Sequence, residues 1–357
     1  YSASYPKAMI STDTCGDSFY YAGKQIEFAV KFGVPALLLC SLLPLTVFYR
    51  HPKRHWFLGV ALGGILLMLI AVLFTADVHG NRNRLGPIQP SEFARVGIVL
   101  ATAAYLCRRA WQLRTTRGVA IILGLLLVVP AVLIILEKDL GTAFAVVLST
   151  AILLVAAGMK ARYVFLPMGV LVAAMALIVL TGHRATRIEV WLHPERYPTG
   201  AGCQTFHSLI AIGSGGLFGR GFCQGLQKWS YVPAPQSDSI VPVLAEELGF
   251  FLTVLLLFVP YMLLVFRGFT IAHRAPDEFS ALVALGCTIM LGTQGLINLA
   301  VALNVIPLMG LNLPFISYGG SSLVASLMMA GLLLNVSMMV PATAQAGAAT
   351  SPQHAAA

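Results

Sequence analysis

Nine long apolar segments constrain the fold of this 357-residue chain more than any other feature of its sequence. Each is long enough to cross a hydrocarbon layer of roughly 30 Å, and each is a continuous apolar run rather than an alternation of apolar and polar residues. Charged residues make up only 10% of the chain, against 58% hydrophobic residues, which is too few to cover a water-soluble surface. The sequence therefore predicts an all-α, polytopic membrane helix bundle. The predicted spans are 28–49, 56–76, 93–108, 119–136, 142–158, 164–181, 241–266, 281–306 and 323–341.

The Lys and Arg residues of the short loops predict the orientation of the bundle, because positive charge in short loops favours the cytoplasmic side. One set of short loops holds eleven of these residues and the opposite set holds five. The richer set and the C-terminal tail are therefore expected inside, and residues 1–27 and the long loop 182–240 outside. The short loops assigned to the inside are 50–55, 109–118, 159–163 and 267–280.

The domain organisation is simple. Residues 1–342 are expected to form a single integral membrane domain, and the low-complexity tail 343–357 is expected to be disordered. The net charge of +9 does not indicate nucleic-acid binding, since about half of the basic residues lie in the predicted cytoplasmic loops. The six cysteines show no metal-binding spacing. A bridge between Cys203 and Cys223 and free thiols at both positions remain alternatives.

One polar stretch, from Cys203 to Phe250, interrupts the apolar pattern. It contains six glycines between positions 213 and 225, an isolated Asp238, and the adjacent pair Glu246 and Glu247. Such groups are costly beside hydrocarbon, so they indicate a specific role. We therefore expect the activity of the protein to lie in this stretch.

Three motifs in the second half of the chain resemble the SEDS family of cell-wall glycan polymerases, the FtsW, RodA and SpoVE proteins. They are YVPAPQSDSI at 231–240, AEELGF at 245–250 and NVIPLMGLNLPFISYGGSS at 304–322. The dipeptide QK at 227–228 favours the FtsW branch. The resemblance implies ten spans in all, because a YSAS-like sequence ends the first helix of the family and this chain opens with that sequence at 1–4. A first span is therefore expected before Tyr1.

The resemblance implies a peptidoglycan glycosyltransferase that polymerises lipid II into β-1,4 glycan strands at the outer face of the bacterial cytoplasmic membrane. Its catalytic residue would be Asp238, the acid of the family motif YxPxxxTD, in which Ser237 here replaces Thr. Ser239 and Val241 replace two Phe residues of the family. Asp238 would deprotonate the acceptor hydroxyl, and displacement of undecaprenyl pyrophosphate with a single base implies inversion at the sugar carbon. Without the resemblance, an isolated Asp before a helix is more often an N-cap.

Two further elements match family motifs upstream. Glu92 lies in QPSE, followed one turn later by Arg95 where the family has Lys, and Asp139 lies in EKDLGTA, where the family has QPDLGTA. The resemblance implies substrate contacts for Glu92, Arg95 and Asp139. The alternatives are that Glu92 and Arg95 close a salt bridge on one helical turn and that Asp139 caps a helix. Ser91 is predicted to be the N-cap of the helix that carries Glu92.

Basic residues of the loop 182–240 indicate a phosphate-binding surface, since topology does not favour positive charge outside. Arg196, Arg220 and Lys228 are the predicted pyrophosphate contacts, and Gln204 is a further predicted substrate-binding residue. The glycines at 213–221 would let backbone amides approach the phosphate closely.

Residues 307–322 are predicted to form an irregular outer segment, because prolines at 307 and 314 interrupt it. Irregular backbone at membrane depth must be buried in protein or line a water-filled cavity. Ser317 and Ser321 therefore either line the acceptor path or close the structure.

The acids of the outer side are expected to share one cavity. An unpaired carboxylate facing lipid would cost on the order of 2–4 kcal/mol, so a common wet pocket is their natural environment. The prediction is one outward-open cavity with Asp238 at its rim and four other carboxylates around it. These are Glu92, Asp139, Glu246 and Glu247.

The expected ligands and partners follow from the same reading. Mg²⁺ or Mn²⁺ would bridge the pyrophosphate and Asp238, although no ligand cluster demands a metal, and no organic cofactor is expected. The expected partners are lipid II, membrane lipids, a class B penicillin-binding transpeptidase and other division or elongation proteins. Two other classes remain open: a flippase or transporter for the lipid-linked precursor, and a non-catalytic scaffold of a division complex.

Overall fold

The computed structural model describes most of the chain, and the regular structure of the described residues is helical. Lys138 and Tyr231, which belong to two of the motifs, and the predicted disordered tail 343–357 lie outside the described residues. The described ranges are 20–45, 63–64, 66–72, 88–109, 115–137, 139–181, 186–228, 232–233 and 235–339.

The helices that position the site are labelled α1 to α10 in chain order. Three of them, α1, α3 and α8, each include a π-helical turn, at Ala29–Gly33, Gly124–Val128 and Val254–Phe258 respectively. The bounds are α1 (20–42), α2 (Pro90–Arg109), α3 (116–136), α4 (Leu140–Ala156), α5 (Ala161–Thr181), α6 (Thr186–Leu192), α7 (Cys203–Gly215), α8 (240–274), α9 (Glu278–Ala302) and α10 (Gly320–Met339).

The predicted membrane fold is confirmed. Within the described ranges, α1, α3, α8, α9 and α10 are long and apolar enough to cross a membrane, and α4 and α5 contain shorter apolar helices. With α2, these helices coincide with eight of the nine predicted spans. The remaining span, 56–76, is described only at 63–64 and 66–72, where it is helical.

Helix α9 lies at the centre of the bundle and packs against α2, α4, α8 and α10. Glycines let these neighbours approach, because a side chain at Gly286 would collide with Val99 of α2 and one at Gly295 with Tyr261 of α8. Small residues allow membrane helices to pack closely where the lipid offers no hydrophobic driving force for association. The fully buried Gln294 of α9 is thereby held against α2.

The three π-helical turns have a common cause. In each case a proline is the second residue after the turn, at positions 35, 130 and 260. Proline lacks an N–H group and its ring clashes with the carbonyl of the residue four positions earlier. A wider turn at that carbonyl relieves the clash, so the apolar spans continue through their prolines.

Candidate functional site

Asp238 lies in the turn directly before α8, at the position that the sequence predicts, and is partly exposed. The Ser237 hydroxyl donates a hydrogen bond of 2.9 Å to Oδ1 of Asp238. Both positions at which the family has Phe are buried. Ser239 lies at the N-cap position of α8 without a side-chain capping bond, and Val241 packs in an apolar cluster with Leu313. The residues that follow the aspartate are therefore packed in the protein interior.

The late motif supports the Asp238 turn directly. The amide of Tyr318 donates to the carbonyl of Gln236 at 2.8 Å. The hydroxyl of Ser317 donates to the carbonyl of Ser237 at 2.5 Å and accepts from the amide of Leu313 at 2.8 Å. The irregular segment is confirmed for residues 307–319, whereas residues 320–322 already belong to α10. The buried Ser317 closes the structure instead of lining a path for the acceptor.

A small cavity with both polar and apolar walls opens beside Asp238. Helix α7 contributes Gln204 and Ser208 to its wall, and Asn304 closes it from the turn after α9. The Gln204 amide donates to the Ser239 hydroxyl at 2.8 Å. The polar part of the wall consists of amides and hydroxyls, groups that can hydrogen-bond the hydroxyls of a sugar, and apolar side chains form the rest. The volume of about 10 Å³ holds no more than a water molecule, so a sugar enters only after the wall moves.

The sequence interpretation did not identify the contact that closes this cavity. Trp191 of α6 donates through its indole N–H to the carbonyl of Asn304 at 2.9 Å, and Asn304 returns a side-chain bond of 3.1 Å to the carbonyl of Trp191. Asn304 has a left-handed backbone, with φ of 56°. In the sequence, an Asn shortly before Pro307 indicates that a left-handed turn can form there, since Asn tolerates this conformation better than most residues.

Glu92 and Arg95 form a buried ion pair on the first turns of α2, as the structural alternative predicts. Arg95 also donates to the side-chain oxygen of Gln294, whose amide in turn donates to the carbonyl of Asn312 at 2.8 Å. The two charges are therefore paired inside the bundle, where an unpaired charge would be strongly destabilising, although Nε of Arg95 has no hydrogen-bond partner. The predicted N-cap is wrong: α2 already begins at Pro90, and Ser91 lies in its first turn.

Asp139 caps α4, again as the structural alternative predicts. Its Oδ1 accepts from the amide of Thr142 at 3.0 Å, and its Oδ2 accepts from the Gln89 side chain at 3.0 Å. The amide of Gln89 donates to the hydroxyl of Ser321 at 3.1 Å. Burial raises the pKa of Asp139, and the Thr142 amide opposes that rise. Three motifs that are far apart in the sequence meet at this carboxylate.

Glu137, where the family has Gln, is a buried carboxyl at the end of α3. It is 1% exposed, and neither of its oxygens has a hydrogen-bond partner. Burial, with a smaller effect of Asp139, raises the pKa of Glu137 from 4.5 to about 8. Its contribution to stability is therefore fully present below about pH 4.5 and is lost as the pH rises to about 8.

We expect Glu137→Gln to raise the melting temperature of the purified protein by a few degrees at pH 8 and by much less at pH 5. Gln has nearly the same volume as Glu, but it lacks the carboxyl group, which at high pH must either stay protonated or be buried as an anion. Thermal unfolding in detergent at the two pH values measures the difference. An equal difference in melting temperature between the variant and the unaltered protein at pH 5 and pH 8 would contradict this interpretation of Glu137.

Glu246 and Glu247 hold the chain segment that follows α7. The Glu246 carboxylate accepts from the amides of Leu226 at 2.8 Å and Gln227 at 3.0 Å, and it lies 3.6 Å from the Arg220 guanidinium. The Glu247 carboxylate pairs with the fully buried Lys228 and accepts from the amide of residue 223 at 3.3 Å. The two acids therefore act as anchors for residues 220–228.

The glycines of this segment serve helix packing. Gly249, with φ of 82°, breaks α8, and the carbonyls of Glu246 and Glu247 accept from the amides of Arg220 and Gly221, both at 3.0 Å. A side chain at Gly215 or Gly219 would collide with the α8 backbone. The predicted phosphate cradle is therefore wrong for amides 220 and 221, because the broken helix already occupies them.

The predicted shared cavity is wrong in this structure. None of the other four carboxylates lines the cavity at Asp238. Glu92 and Asp139 lie in the networks of α2 and α4, and Glu246 and Glu247 lie at the break of α8. Each acid has ionic or hydrogen-bond partners of its own, which removes the need for a common pocket.

The remaining predicted residues differ in exposure. Arg196, in the short helix Pro194–Arg196, is exposed. Arg220 is also exposed, whereas Lys228 has no exposed surface to offer a phosphate. No disulfide joins Cys203 and Cys223, both of which the structure describes. Among the described residues, no group of three or more His, Cys, Asp or Glu side chains is placed to hold a metal ion.

Comparisons with known proteins agree with the motifs. Residues 1–341 match the model of the family FTSW_RODA_SPOVE, described as "Cell cycle protein". Stage V sporulation protein E of Bacillus subtilis is 37% identical over 90% of this chain and 88% of its own length. The probable peptidoglycan glycosyltransferase FtsW of Geobacter metallireducens is 32% identical over 96% and 91%.

Solved structures are also similar. A structure described as "Structural coordination of polymerization and crosslinking by a peptidoglycan synthase complex" matches with a TM-score of 0.69 and 29% identity, over 90% of this chain and 89% of that chain. The rod shape determining protein RodA of Thermus thermophilus matches with a TM-score of 0.60 and 27% identity, over 94% and 90%.

Proposed function

The chain belongs to the FtsW/RodA/SpoVE family, and on this premise we propose that it is a peptidoglycan glycosyltransferase that polymerises lipid II at the outer face of the cytoplasmic membrane. The observation that carries the proposal is the environment of Asp238. Its carboxylate faces a cavity whose polar lining consists of amides and hydroxyls, and the late motif bonds the carbonyls of the two residues before it. A general base needs this combination of access to the substrate and fixed geometry.

The proposed step is a single displacement. Asp238 accepts the proton of the acceptor hydroxyl, whose oxygen forms a bond to the anomeric carbon of the donor. The bond from that carbon to the pyrophosphate oxygen breaks, and undecaprenyl pyrophosphate leaves with the bonding electrons. One base without a nucleophilic carboxylate inverts the sugar carbon, which gives a β-linked strand from an α-linked donor.

The leaving pyrophosphate requires positive charge. Of the three basic residues predicted for this role, the exposed Arg196 is the best candidate, and Arg220 is the second because it also pairs with Glu246. Lys228 is not proposed for this role, since Glu247 neutralises it. A Mg²⁺ or Mn²⁺ ion held by Asp238 together with the phosphates would neutralise part of the charge, because Mg²⁺ is often held by one carboxylate plus substrate phosphates.

We expect Arg196→Ala to raise the KM for the lipid-linked donor by about tenfold with kcat nearly unchanged, because it removes a charge-assisted contact to phosphate. The change should leave the melting temperature unaltered, whereas Arg220→Ala should lower it by exposing the Glu246 network. Arg267→Ala, which removes an exposed Arg from α8, is the control. An unchanged KM in Arg196→Ala would show that this side chain does not contact the donor.

The proposed partner is a transpeptidase of the class B penicillin-binding type, supported by the similarity to a peptidoglycan synthase complex. Synthesis of glycan from purified lipid II by the purified protein in detergent tests the function. A micelle has no second compartment, so a flippase would yield no polymer there, and neither would a scaffold. Polymer made by the protein alone supports the proposal, and its absence in the presence of a transpeptidase partner would overturn it.

A further inference from the structure

Two polar side chains outside the Asp238 cavity are bonded to the backbone that supports it. Gln25 of α1 donates through its amide nitrogen to the carbonyl of Ser317 at 3.0 Å, and its oxygen accepts from the amide of Gly319 at 3.3 Å. Both polar atoms of this one side chain are thus used on the same short segment, nearly three hundred residues away in sequence. No motif of the sequence includes Gln25.

Ser317 continues the connection to the aspartate. It is 3% exposed, and its hydroxyl bonds the carbonyl of Ser237 at 2.5 Å. The Ser237 hydroxyl then donates to Oδ1 of Asp238 at 2.9 Å. The chain of contacts runs from α1 through the late motif to the carboxylate, and neither Gln25 nor Ser317 lines the cavity beside it.

We propose that Ser317 and Gln25 are positioning residues that fix the direction of the Asp238 carboxylate. The inference rests on the proposed function, since it gives Asp238 a reaction to perform. The bonds from the Ser317 hydroxyl and the amide of Tyr318 tie the turn at 236–238 to the late motif, and they thereby fix its place relative to the cavity. A displacement of about 1 Å in a catalytic group can reduce turnover about a hundredfold.

Ser317→Ala is expected to lower kcat by about 10- to 100-fold while KM for the donor stays within about twofold, because substrate contacts remain. Ser326→Ala is the matched control: Ser326 is equally buried, and its hydroxyl bonds only within α10, to the carbonyl of Ser322. The control should keep full turnover with a similar shift in melting temperature. Equal losses of turnover in the two variants would overturn the proposal, as would a raised KM with unchanged kcat in Ser317→Ala.

Gln25→Ala tests the remote end of the chain on a partly exposed helix, where folding is not at risk. It should lower kcat about three- to tenfold, and the double variant with Ser317→Ala should lose little beyond the single Ser317→Ala loss, because coupled residues are not additive. If the kcat losses of the two single variants multiplied in full in the double variant, Gln25 would not act through Ser317. The same assay includes the unaltered protein and Asp238→Asn. No polymer from the unaltered protein would refute the proposed function, and an active Asp238→Asn would refute the catalytic role of Asp238. An inactive Asp238→Asn beside a fully active Ser317→Ala would refute only the positioning role.

Discussion

Asp238→Asn should abolish glycan synthesis by the purified protein, with a loss of at least about a thousandfold in kcat. The substitution keeps the volume of the side chain and its ability to accept from the Ser237 hydroxyl, but it removes the base. Binding of lipid II should therefore persist. Gel analysis of the polymer and a separate binding measurement give the two results.

Asp277→Asn is the matched control for this change. Asp277, which follows the far end of α8, caps α9 by accepting from the amide of Ser280 at 2.9 Å, and Asn caps helices about as well as Asp. The control variant should polymerise at the wild-type rate. Polymer of normal length from Asp238→Asn would remove the basis of the catalytic assignment.

Lys228→Met should prevent the protein from folding stably, with a loss of about 3–5 kcal/mol. Glu247 would remain at the break of α8 as a buried carboxylate without its cation, held only by the amide of residue 223. The yield of monodisperse protein and its thermal unfolding in detergent measure the effect. Lys160→Met, at an exposed position, should change neither.

A second change separates this structural role from phosphate binding. Glu247→Gln removes the orphaned charge, so the double variant with Lys228→Met should recover most of the lost stability. If Lys228 instead bound the pyrophosphate, Lys228→Met would fold normally and raise the KM for lipid II. A stable Lys228→Met variant with a raised KM would therefore contradict the structural assignment.

The sequence predicts those features of the fold that depend on local patterns. Continuous apolar runs predict the helices, and a short acidic side chain before such a run predicts the cap that Asp139 makes. The spacing of Glu92 and Arg95 predicts their ion pair, since residues three apart share a helix face. In each case the physical cause lies within one turn of the chain.

Features that depend on distant contacts are not predictable in this way. The break at Gly249 lies inside an apolar run, and only the packed α7 segment explains why the glycines are needed there. The shared pocket predicted for Glu246 and Glu247 is wrong because their partners at 220–228 lie some twenty residues away in the sequence, where no local pattern predicts the contact. The bonds from Gln25 and Ser317 likewise join parts of the chain that no local pattern connects.

The anomeric configuration of the glycan product tests directly whether Asp238 acts as the base of a single displacement. If Asp238 is the only base of a single displacement, an α-linked lipid II donor must give β-linked disaccharide units, because no enzyme-bound sugar intermediate intervenes. NMR of polymer made by the purified protein determines the linkage. We expect β linkages throughout, and α linkages would show that a nucleophilic residue acts before the acceptor does.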